Sequence, residues 1–446
     1  MTPPLAGNET ACDVLVIGGG PAGATIATLL AKQGRDVVMV EKAHHPRFHV
    51  GESLLPANAR LFDQLGVRDE VERIGLKKWA AEFVASDADG IGSVCFGEAW
   101  DKSTPYAWQV RRSELDALLF DHARKHGAHA VEGCRVRDVA FDDDGATVRG
   151  ESGDGSQRTW RARYVVDASG RDTFMAQRLG AKRKHPKHAS SALYAHFVGA
   201  KRHTGRDEGN ITIYWFAHGW FWFIPLKDGT TSVGAVCWPY YLASRQKPLK
   251  AFLDDTIAMA PKLAQRLEGA TVVDDRVWAT GNFSYTSSHS TGERYVLLGD
   301  AYAFIDPVFS SGVYLAMNSA FAAMDLVNAT LDEQPCVASE RRRFEKLMAK
   351  GPRDFSWFIF RMTNPVMRAL LLHPRNPLRM KEALISLLAG DIFGRTPIWH
   401  SIRALKGVYL AGQIANLPRA WRAYRRRRHN VRPMGAVPGE NVMETS

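Results

Sequence analysis

The sequence predicts a mixed α/β (α+β) fold that combines a βαβ unit, an interleaved antiparallel sheet and a C-terminal helical region. Residues 13–40 alternate short β-branched runs with a stretch of helical spacing. Residues 190–240 alternate apolar and polar positions and carry many aromatic residues, as strands do. Beyond Ser339 the apolar spacing is helical, and we expect four prolines to divide this region into pieces: Pro352, Pro365, Pro374 and Pro377.

Length and composition indicate a folded chain with more than one lobe. The 446 residues are about three times a typical domain length. Hydrophobic residues make up 45% and charged residues 24% of the chain, which argues against disorder, collagen or coiled coil as its main state.

Cysteine usage and the N-terminal residues predict a cytoplasmic protein. No CxxC pair occurs, which argues against a zinc site or a disulfide framework and leaves no metal site to predict. Residues 1–10 lack the features of a signal peptide, and no stretch approaches 18 uninterrupted apolar residues, so no membrane span is expected. The five cysteines lie far apart: Cys12, Cys95, Cys134, Cys237 and Cys336.

Positive charge is concentrated near the C-terminus. The net charge is +11, and residues 392–439 carry ten Lys or Arg without any Asp or Glu. Such a segment attracts an acidic partner, although a solvated helix face has the same composition. Because no nucleic-acid motif or aromatic interleaving accompanies the charge, we expect no nucleic-acid partner.

The βαβ unit carries a dinucleotide-binding pattern. The turn after the strand Asp13–Ile17 reads GGGPAG and fits GxGxxG, with its glycines at Gly18, Gly20 and Gly23. The first glycine permits the tight turn, the second lets a pyrophosphate approach the backbone, and the third lets the helix pack on the strand. Glu41, which ends the second strand, is placed to accept hydrogen bonds from ribose hydroxyls.

Two later turns extend the pattern. A buried strand over residues 164–167 runs into the DASG turn that begins at Asp167, and another over residues 295–298 is followed by Gly299 and Asp300. A long amphipathic stretch begins at Gly312. Together with the βαβ unit, these turns resemble the flavoprotein monooxygenase and halogenase superfamily, and the resemblance implies FAD as the cofactor.

The resemblance carries over residue by residue. VRRSELD resembles the VxRxxFD element whose arginine contacts flavin, here Arg112, although an exposed helix start would also suit that residue. Gly51, Glu52 and Ser53 resemble the GES turn of the branch that includes halogenases and geranylgeranyl reductases. The implied cofactor-binding residues are Gly18, Gly20, Ala22, Gly23, Glu41, Arg112, Asp167, Asp300, Pro307, Gly312 and Val313.

Residues 220–225 read WFWFIP and match WxWxIP, the signature that separates flavin-dependent halogenases from related hydroxylases. On a strand, Trp220 and Trp222 project from one face, and Phe221 and Phe223 from the other. In the family these tryptophans line the passage between flavin and substrate. An aromatic-rich core strand is the alternative interpretation.

Residues 304–312 read FIDPVFSSG and match the halogenase pattern FxxPxxSxG. The family binds its halide at backbone amides that correspond to Ser311 and Gly312, and a helix start supplies N–H donors for an anion. An N-cap without a ligand is compatible with the same residues.

Residues 78–83 read KWAAEF and resemble the Kx(G/A)AxF element that bears the family's active-site lysine, here Lys78. On a strand, Lys77 points away from Lys78. Desolvation in a Trp-lined pocket lowers the pKa of an ammonium group, which suits contact with hypohalous acid or formation of a haloamine. Taken alone, a KK dipeptide is usually solvated surface.

The resemblance spans residue 13 to about 394 and is closest to halogenases of phenols and pyrroles. It implies reduced FAD from a separate flavin reductase, chloride or bromide, and electrophilic halogenation of an electron-rich ring, free or on an acidic acyl carrier protein. Phe309 stands where tryptophan halogenases carry a glutamate, so free tryptophan is not the expected substrate. Glu52 and His49 are candidate bases.

The resemblance also implies how the chain is divided into domains. We expect an FAD-binding domain over residues 1–185 with part of the substrate sheet at about 78–110, an antiparallel-sheet substrate domain over 186–285, a return to the first domain over 286–338, and a helical region with a basic tail over 339–446. The alternatives are an FAD-dependent aromatic hydroxylase, a geranylgeranyl-type reductase, and a non-catalytic flavin-binding or membrane-binding module.

Overall fold

A computed structural model describes residues 9–85, 90–185, 188–394 and 396–430, without the side chains of residues 282, 283 and 427. The strands are β1 Glu9–Ile17, β2 Val37–Val40, β3 Leu76–Lys78, β4 Ala80–Val84, β5 Ile91–Cys95, β6 Ala107–Gln109, β7 His129–Val131, β8 Cys134–Phe141, β9 Ala146–Ser152, β10 Gln157–Asp167, β11 Lys182–Lys184, β12 Ser190–Val198, β13 Ile211–Phe216, β14 Gly219–Pro225, β15 Thr231–Cys237, β16 Thr271–Phe283, β17 Tyr285–Ser287, β18 Tyr295–Leu297 and β19 Ala303–Phe304.

The α-helices are α1 Pro21–Ala31, α2 Asn58–Leu65, α3 Arg68–Ile74, α4 Arg112–Lys125, α5 Phe174–Arg178, α6 Pro239–Ala243, α7 Leu249–Ala258, α8 Pro261–Arg266, α9 Gly312–Leu331, α10 Val337–Ile359, α11 Pro365–Leu372, α12 Met380–Leu388, α13 Ile398–Ala415 and α14 Leu417–Asn430.

The first sheet contains the predicted βαβ unit. Its strand order is β7-β2-β1-β10-β9-β8, and β18 pairs with β10. The β1, β2, β7, β10 and β18 pairings are parallel. Val14, Leu15 and Val16 are fully buried, as expected for a strand that is covered on both faces. Carboxyl ends of parallel strands share one edge, so the turns after β1, β10 and β18 meet there.

The second sheet is the predicted antiparallel one. Its order is β16-β12-β15-β14-β13-β4-β5, and only the β13–β4 pairing among these strands is parallel. Strands β4 and β5 come from residues 80–95, so the N-terminal part of the chain contributes two strands to this sheet. Trp220 and Trp222 face the main core, and Phe221 and Phe223 face a separate cluster on the other side. The predicted alternation of tryptophans and phenylalanines between the two faces of this strand is confirmed.

Two predictions for individual elements are wrong. The sequence of residues 108–119 predicts a helix that begins at Trp108, but Trp108 lies in β6 and pairs with Lys77 of β3, and α4 begins at Arg112. Strand pairing there outweighs local helix propensity. Pro352 was expected to break the C-terminal helices, yet α10 continues through it. Burial of Phe344, Met348 and Phe355 on either side of the proline holds α10 against the core.

Among the described residues, no helix is long and apolar enough to cross a membrane.

Candidate active site

The glycine turn after β1 leaves room for a pyrophosphate. Gly18 has φ of 100°, and a Cβ there would lie 2.4 Å from the carbonyl oxygen of Ala168. A Cβ on Gly23 would lie 1.9 Å from the oxygen of Gly18, so the first and third glycines are needed for packing. A Cβ on Gly20 would meet only an Arg47 nitrogen, at 3.6 Å. The turn is therefore open at the second glycine, where a phosphate must approach the backbone.

Glu41 and Arg47 flank this turn. The Glu41 carboxylate accepts hydrogen bonds from the backbone N–H of Gly19 at 2.8 Å and of Ala43 at 3.0 Å. Arg47 lies 3.6 Å from Glu41 and 3.4 Å from Asp116. An arginine beside an open glycine turn suits an anionic group. Sequence reasoning missed Arg47, because it lies in an irregular loop after β2.

Asp167 ends β10 and Asp300 lies in the turn after the neighbouring strand β18, and the two carboxylates differ in their surroundings. The fully buried Asp167 carboxylate accepts from the N–H groups of Ser169 at 2.9 Å and Met175 at 2.8 Å, so it fixes the turn. Burial raises the pKa of Asp300 to about 6, although the Arg171 and Arg112 charges oppose this. No donor to the Asp300 carboxylate occurs in the described part of the chain, so its oxygens can accept from a ligand hydroxyl.

Arg112 lies at the start of α4, close enough to Asp300 for the two charges to interact. Its guanidinium donates to both Asp116 oxygens, at 2.8 and 3.0 Å, and to the Val50 carbonyl at 3.0 Å. It is 7% exposed, so the exposed helix-start interpretation is wrong. Fixed in this way, its charge lies beside Asp300 and Glu52, on the side of the glycine turn where flavin is expected.

A buried acid–base pair joins the second sheet to the loop that carries the Gly51–Ser53 turn. Glu52 Oε1 lies 2.8 Å from Nε2 of His196, which belongs to β12. His196 also approaches Arg111, with 3.4 Å between Nδ1 and Nη1. Burial and the nearby Arg112 lower the pKa of His49 to about 3, so His49 is neutral at neutral pH. Sequence reasoning missed His196, since one polar residue in a strand pattern carries no signal for a site.

Lys78 is buried and Lys77 is not. Lys78 is 1% exposed, its Nζ donates to Ser53 Oγ at 2.9 Å and to the Leu54 carbonyl, and it lies over the Phe96 ring. Burial lowers its pKa to about 7. The Lys77 side chain is 45% exposed and pairs with Glu72. Asn210 Oδ1 accepts hydrogen bonds from the backbone N–H groups of Trp79 at 3.0 Å and Ala80 at 2.8 Å. These bonds fix the chain next to the lysine.

The two signature tryptophans form one buried face of β14. Each is 5% exposed, and their ring centroids are 6.2 Å apart. Trp222 Nε1 donates to Ser232 Oγ at 3.1 Å. A Cβ on Gly234 would lie 2.2 Å from the Trp222 ring, so this glycine makes the space that the indole fills. The ring is thus held in one orientation.

The segment before α9 presents backbone N–H groups. Pro307–Phe309 form one 3-10 turn, Ser310 has φ of 58°, and Ser311 is buried at the start of the 20-residue helix α9. The first N–H groups of a helix lack intrahelical acceptors and carry partial positive charge. Around Gly312, a Cβ would meet nothing within 4 Å. Gly312 is exposed, so the helix start is open to solvent at this residue.

Sequence reasoning also missed a polar cluster beside this segment. Asp306 Oδ2 accepts from Ser190 Oγ at 2.8 Å and lies 3.2 Å from His188 Nε2. All three residues are buried. Asp306 and Ser190 are 116 residues apart, so no local pattern could bring them together.

The chain is similar to known proteins in both sequence and structure. Residues 11–335 match the family model described as FAD binding domain. The flavin-dependent halogenase gsfI of Penicillium aethiopicum is 33% identical over 367 residues, which is 76% of this chain and 68% of that protein.

For two further relatives, the match covers a larger share of the relative's own length. The 1H-pyrrole-2-carbonyl-(peptidyl-carrier protein) chlorinase of Pseudomonas fluorescens is 30% identical over 408 residues, 85% of this chain and 89% of that protein. The solved structure of the myxobacterial chondrochloren halogenase CndH is 31% identical, with a TM-score of 0.76 over 88% of this chain and 93% of that chain.

Proposed function

The chain belongs to the flavin-dependent halogenase family and has an FAD binding domain, and on this premise we propose that it halogenates an electron-rich phenol or pyrrole through Lys78. The observation that carries the proposal is the burial of Lys78, with its pKa lowered to about 7, in a chain that has the WxWxIP strand. A lysine desolvated to this degree needs a reason, because burying an ammonium group is costly.

The open glycine turn and its flanking residues suit FAD. Gly18, Gly20, Ala22 and Gly23 would cradle the pyrophosphate, with Arg47 beside it, and Glu41 would face the ribose. Asp300 would accept from a ribityl hydroxyl, with Arg112 opposite it. When bound, reduced FAD from a separate reductase would supply the electrons, and O2 would be the oxidant, for the conversion of halide into hypohalous acid.

Chloride or bromide would bind at the start of α9. The N–H groups of Ser311 and Gly312 supply donors, and the space at Gly312 admits an ion. Asp306 Oδ1 accepts from the Val308 N–H at 3.3 Å, and its Oδ2 contacts Ser190 and His188 from outside the segment, so both oxygens of this carboxylate have partners.

Lys78 would then deliver the halogen. With a pKa of about 7, both the ammonium and the amine are populated at neutral pH. The ammonium can donate a hydrogen bond to hypohalous acid. The amine can instead attack the halogen, which forms an N–X bond, breaks the O–X bond and releases water. In either route the ring gains a C–X bond and loses one proton, and Trp220 and Trp222 exclude bulk water from the passage.

The form of the substrate is part of the proposal. The relative that acts on a pyrrole is named for a carrier-bound substrate, and the described part of the C-terminal segment is strongly basic. Arg426 in α14 lies close enough to His218 and Tyr240 for its charge to act on both. An acidic acyl carrier protein docked on α14 would therefore lie next to the second sheet. A free phenol is the alternative substrate form.

The test is a product assay. The protein would be incubated with FAD, a flavin reductase, NADH and chloride or bromide, together with phenols, pyrroles and tryptophan, free and carrier-bound. Mass spectrometry should find a halide-dependent mass increase in a phenol or pyrrole. Oxygenated product that forms without halide would instead identify a hydroxylase, and reduction of an isoprenoid double bond would identify a geranylgeranyl-type reductase.

A further inference from the structure

Helices α13 and α14 carry a group of exposed apolar side chains, which we call the apolar row. Each of its members is more than half exposed. Only three other large apolar side chains in the described part of the chain are exposed to this degree, and they lie on separate elements. Grouped apolar exposure of this kind marks an interaction surface, whereas singly exposed apolar residues do not. The members of the row are Leu410, Ile414, Leu417, Trp421 and Tyr424.

The spacing of the apolar row is that of a helix-packing seam. Successive members are 4, 3, 4 and 3 positions apart, which keeps them on one side of a helix. Asn416 separates α13 from α14, but its N–H donates to the Gly412 carbonyl at 3.1 Å and its own carbonyl accepts from the Ala420 N–H at 2.9 Å. The helical hydrogen-bond pattern therefore continues across the break. The Trp421 and Tyr424 rings stack with their centroids 5.8 Å apart.

A different face joins these helices to the rest of the protein. Ile402, Leu405 and Tyr409 of α13 are buried in the main core. Ala420 and Ala423 of α14 are half-buried, and α14 contacts α11. The helices are thus held by this second face, and the apolar row is left on the surface.

Unpaired positive charge borders the apolar row. Residues 396–430 contain eight Lys or Arg and no Asp or Glu. Arg425 lies four positions after Trp421, and Arg428 lies four positions after Tyr424, which places both arginines beside the row. A partner that covers the row must therefore carry negative charge next to its apolar contacts. Five exposed arginines of α14 form no ion pair within the described part of the chain: Arg419, Arg422, Arg425, Arg426 and Arg428.

Charge and spacing distinguish among three kinds of occupant. A second copy of this chain would bring the arginines of two α14 helices together, and like charges disfavour that contact. A helix that lies on a lipid surface has a broad apolar face, whereas a strict alternation of 4 and 3 gives a narrow seam. Another helix packs its own side chains into such a seam. A helix with acidic residues beside its apolar positions meets both requirements.

From these observations we infer that the apolar row docks an acidic amphipathic helix of a partner protein. The apolar side chains of that helix would pack on Leu417 and Trp421, and its carboxylates would pair with Arg425 and Arg428. The inference deepens the proposed docking of an acidic carrier protein, because it adds α13 and an apolar contact to the surface. It rests on the proposed function for the identity of the partner as that carrier protein.

Two synthetic peptides test the inference. The first has Leu at the a and d positions and Glu at the flanking positions over about three heptads. The second has the same composition, with its leucines distributed around the helix. Fluorescence anisotropy of each labelled peptide, titrated with the FAD-loaded full chain, gives both affinities. Wild-type protein should bind the first peptide at least about tenfold more tightly, because only that peptide can bury its leucines against the row.

Variants at exposed positions separate the apolar contact from the charge. Leu417→Ser combined with Trp421→Ser should abolish the preference for the first peptide. Ile91→Ser is the matched control, since Ile91 is 63% exposed on β5, and it should retain the preference. Arg425→Gln combined with Arg428→Gln should weaken binding of both peptides about threefold or more and leave the preference, and salt at about 0.3 M should act in the same way. Unchanged thermal unfolding by circular dichroism would show that the variants are folded.

Equal affinity for the two peptides in wild type, or a preference retained in the Leu417→Ser and Trp421→Ser variant, would overturn the inference. Three other occupants have their own signatures, each of which would also overturn it. Row-dependent binding to vesicles of phosphatidylcholine and phosphatidylglycerol, without a peptide preference, would assign the row to a lipid surface. A row-dependent dimer in light scattering would assign it to a second copy. A preference that appears only after removal of residues 431–446 would assign it to that segment of the chain.

The peptide assay is independent of halogenation. Halogenated product absent from every wild-type reaction would overturn the proposed function and leave a measured peptide preference standing. Equal peptide affinities together with halogenated product would overturn this inference alone.

Discussion

At the scale of single residues, Lys78 is the group whose removal is most informative. Lys78→Ala should retain bound FAD and oxygen consumption but lose at least about 99% of halogenated product, because hypohalous acid forms away from the lysine. Lys77→Ala is the matched control, since its side chain is half-exposed and paired with Glu72, and it should remain active. Product by mass spectrometry and oxygen uptake should be measured together. Activity lost in Lys77→Ala and kept in Lys78→Ala would reverse the assignment.

The lowered pKa of Lys78 also predicts a pH-dependent stability. Above pH 7 the folded protein holds the neutral amine, whereas the unfolded chain stays protonated until its ordinary pKa near 10.4. The destabilisation that buried Lys78 causes is therefore greatest below pH 7, and it declines as the pH rises towards 10. The gap between the two pKa values corresponds to roughly 5 kcal/mol as an upper bound.

Lys78→Met tests the predicted direction of this pH dependence, because methionine has a similar length without the charge. The stabilisation of Lys78→Met over wild type, measured by urea unfolding at fixed flavin content, should be larger at pH 6 than at pH 9.5. Lys77→Met should show no such trend. A gain in Lys78→Met that is equal at both pH values would mean that the lysine is not desolvated in the folded protein.

At the scale of elements, Gly234 in β15 controls the position of Trp222 in β14. Gly234→Ala places a Cβ 2.2 Å from the indole, so we expect a destabilisation of about 1–3 kcal/mol and a displaced Trp222 ring. If the tryptophan keeps hypohalous acid from water, the ratio of halogenated product to H2O2 should fall. Gly153→Ala is the control, since a Cβ there meets nothing within 4 Å. An unchanged product ratio in a destabilised Gly234→Ala would leave Trp222 with a packing role alone.

At the scale of the whole molecule, the basic surface of α14 predicts salt-sensitive docking. Five apolar side chains along α13 and α14 are more than half exposed: Leu410, Ile414, Leu417, Trp421 and Tyr424. Replacing Arg425, Arg426 and Arg428 by glutamine should slow association with an acidic carrier protein, and 0.1–0.3 M salt should act in the same way. Arg135, Arg137 and Arg149, which lie on the first sheet, are the matched controls. Stopped-flow association rates unaffected by either change would favour a free substrate.

The supply of electrons is a second property of the whole molecule. The chain has one GxGxxG turn, and no other glycine-rich turn suggests a site for a nicotinamide nucleotide. We therefore expect NADH or NADPH with this protein alone to reduce bound FAD at less than about 1% of the turnover rate, and an added reductase to restore turnover. Anaerobic absorbance at the flavin band measures this. Direct reduction at the turnover rate would contradict a separate reductase.

The sequence by itself determined the elements whose signals are local. The glycine turn, the two aspartate turns, the alternation in β14 and the start of α9 at Gly312 follow from φ restrictions, strand periodicity and helix spacing, which neighbouring residues specify. The domain boundaries at residues 185, 285 and 338 remain predictions. Of the basic segment, Arg395 and Arg432 lie outside the described residues, so their contribution also remains a prediction.

Only the tertiary structure decided which polar side chains are buried together. His196 meets Glu52, and Asp306 meets His188 and Ser190, across more than a hundred residues of chain. Arg47 reaches the open glycine turn from an irregular loop. Tertiary packing also placed Trp108 in a strand and carried α10 through Pro352. The reason is the same in each case: burial and pairing between distant segments contribute more free energy than the local preferences that a sequence pattern records.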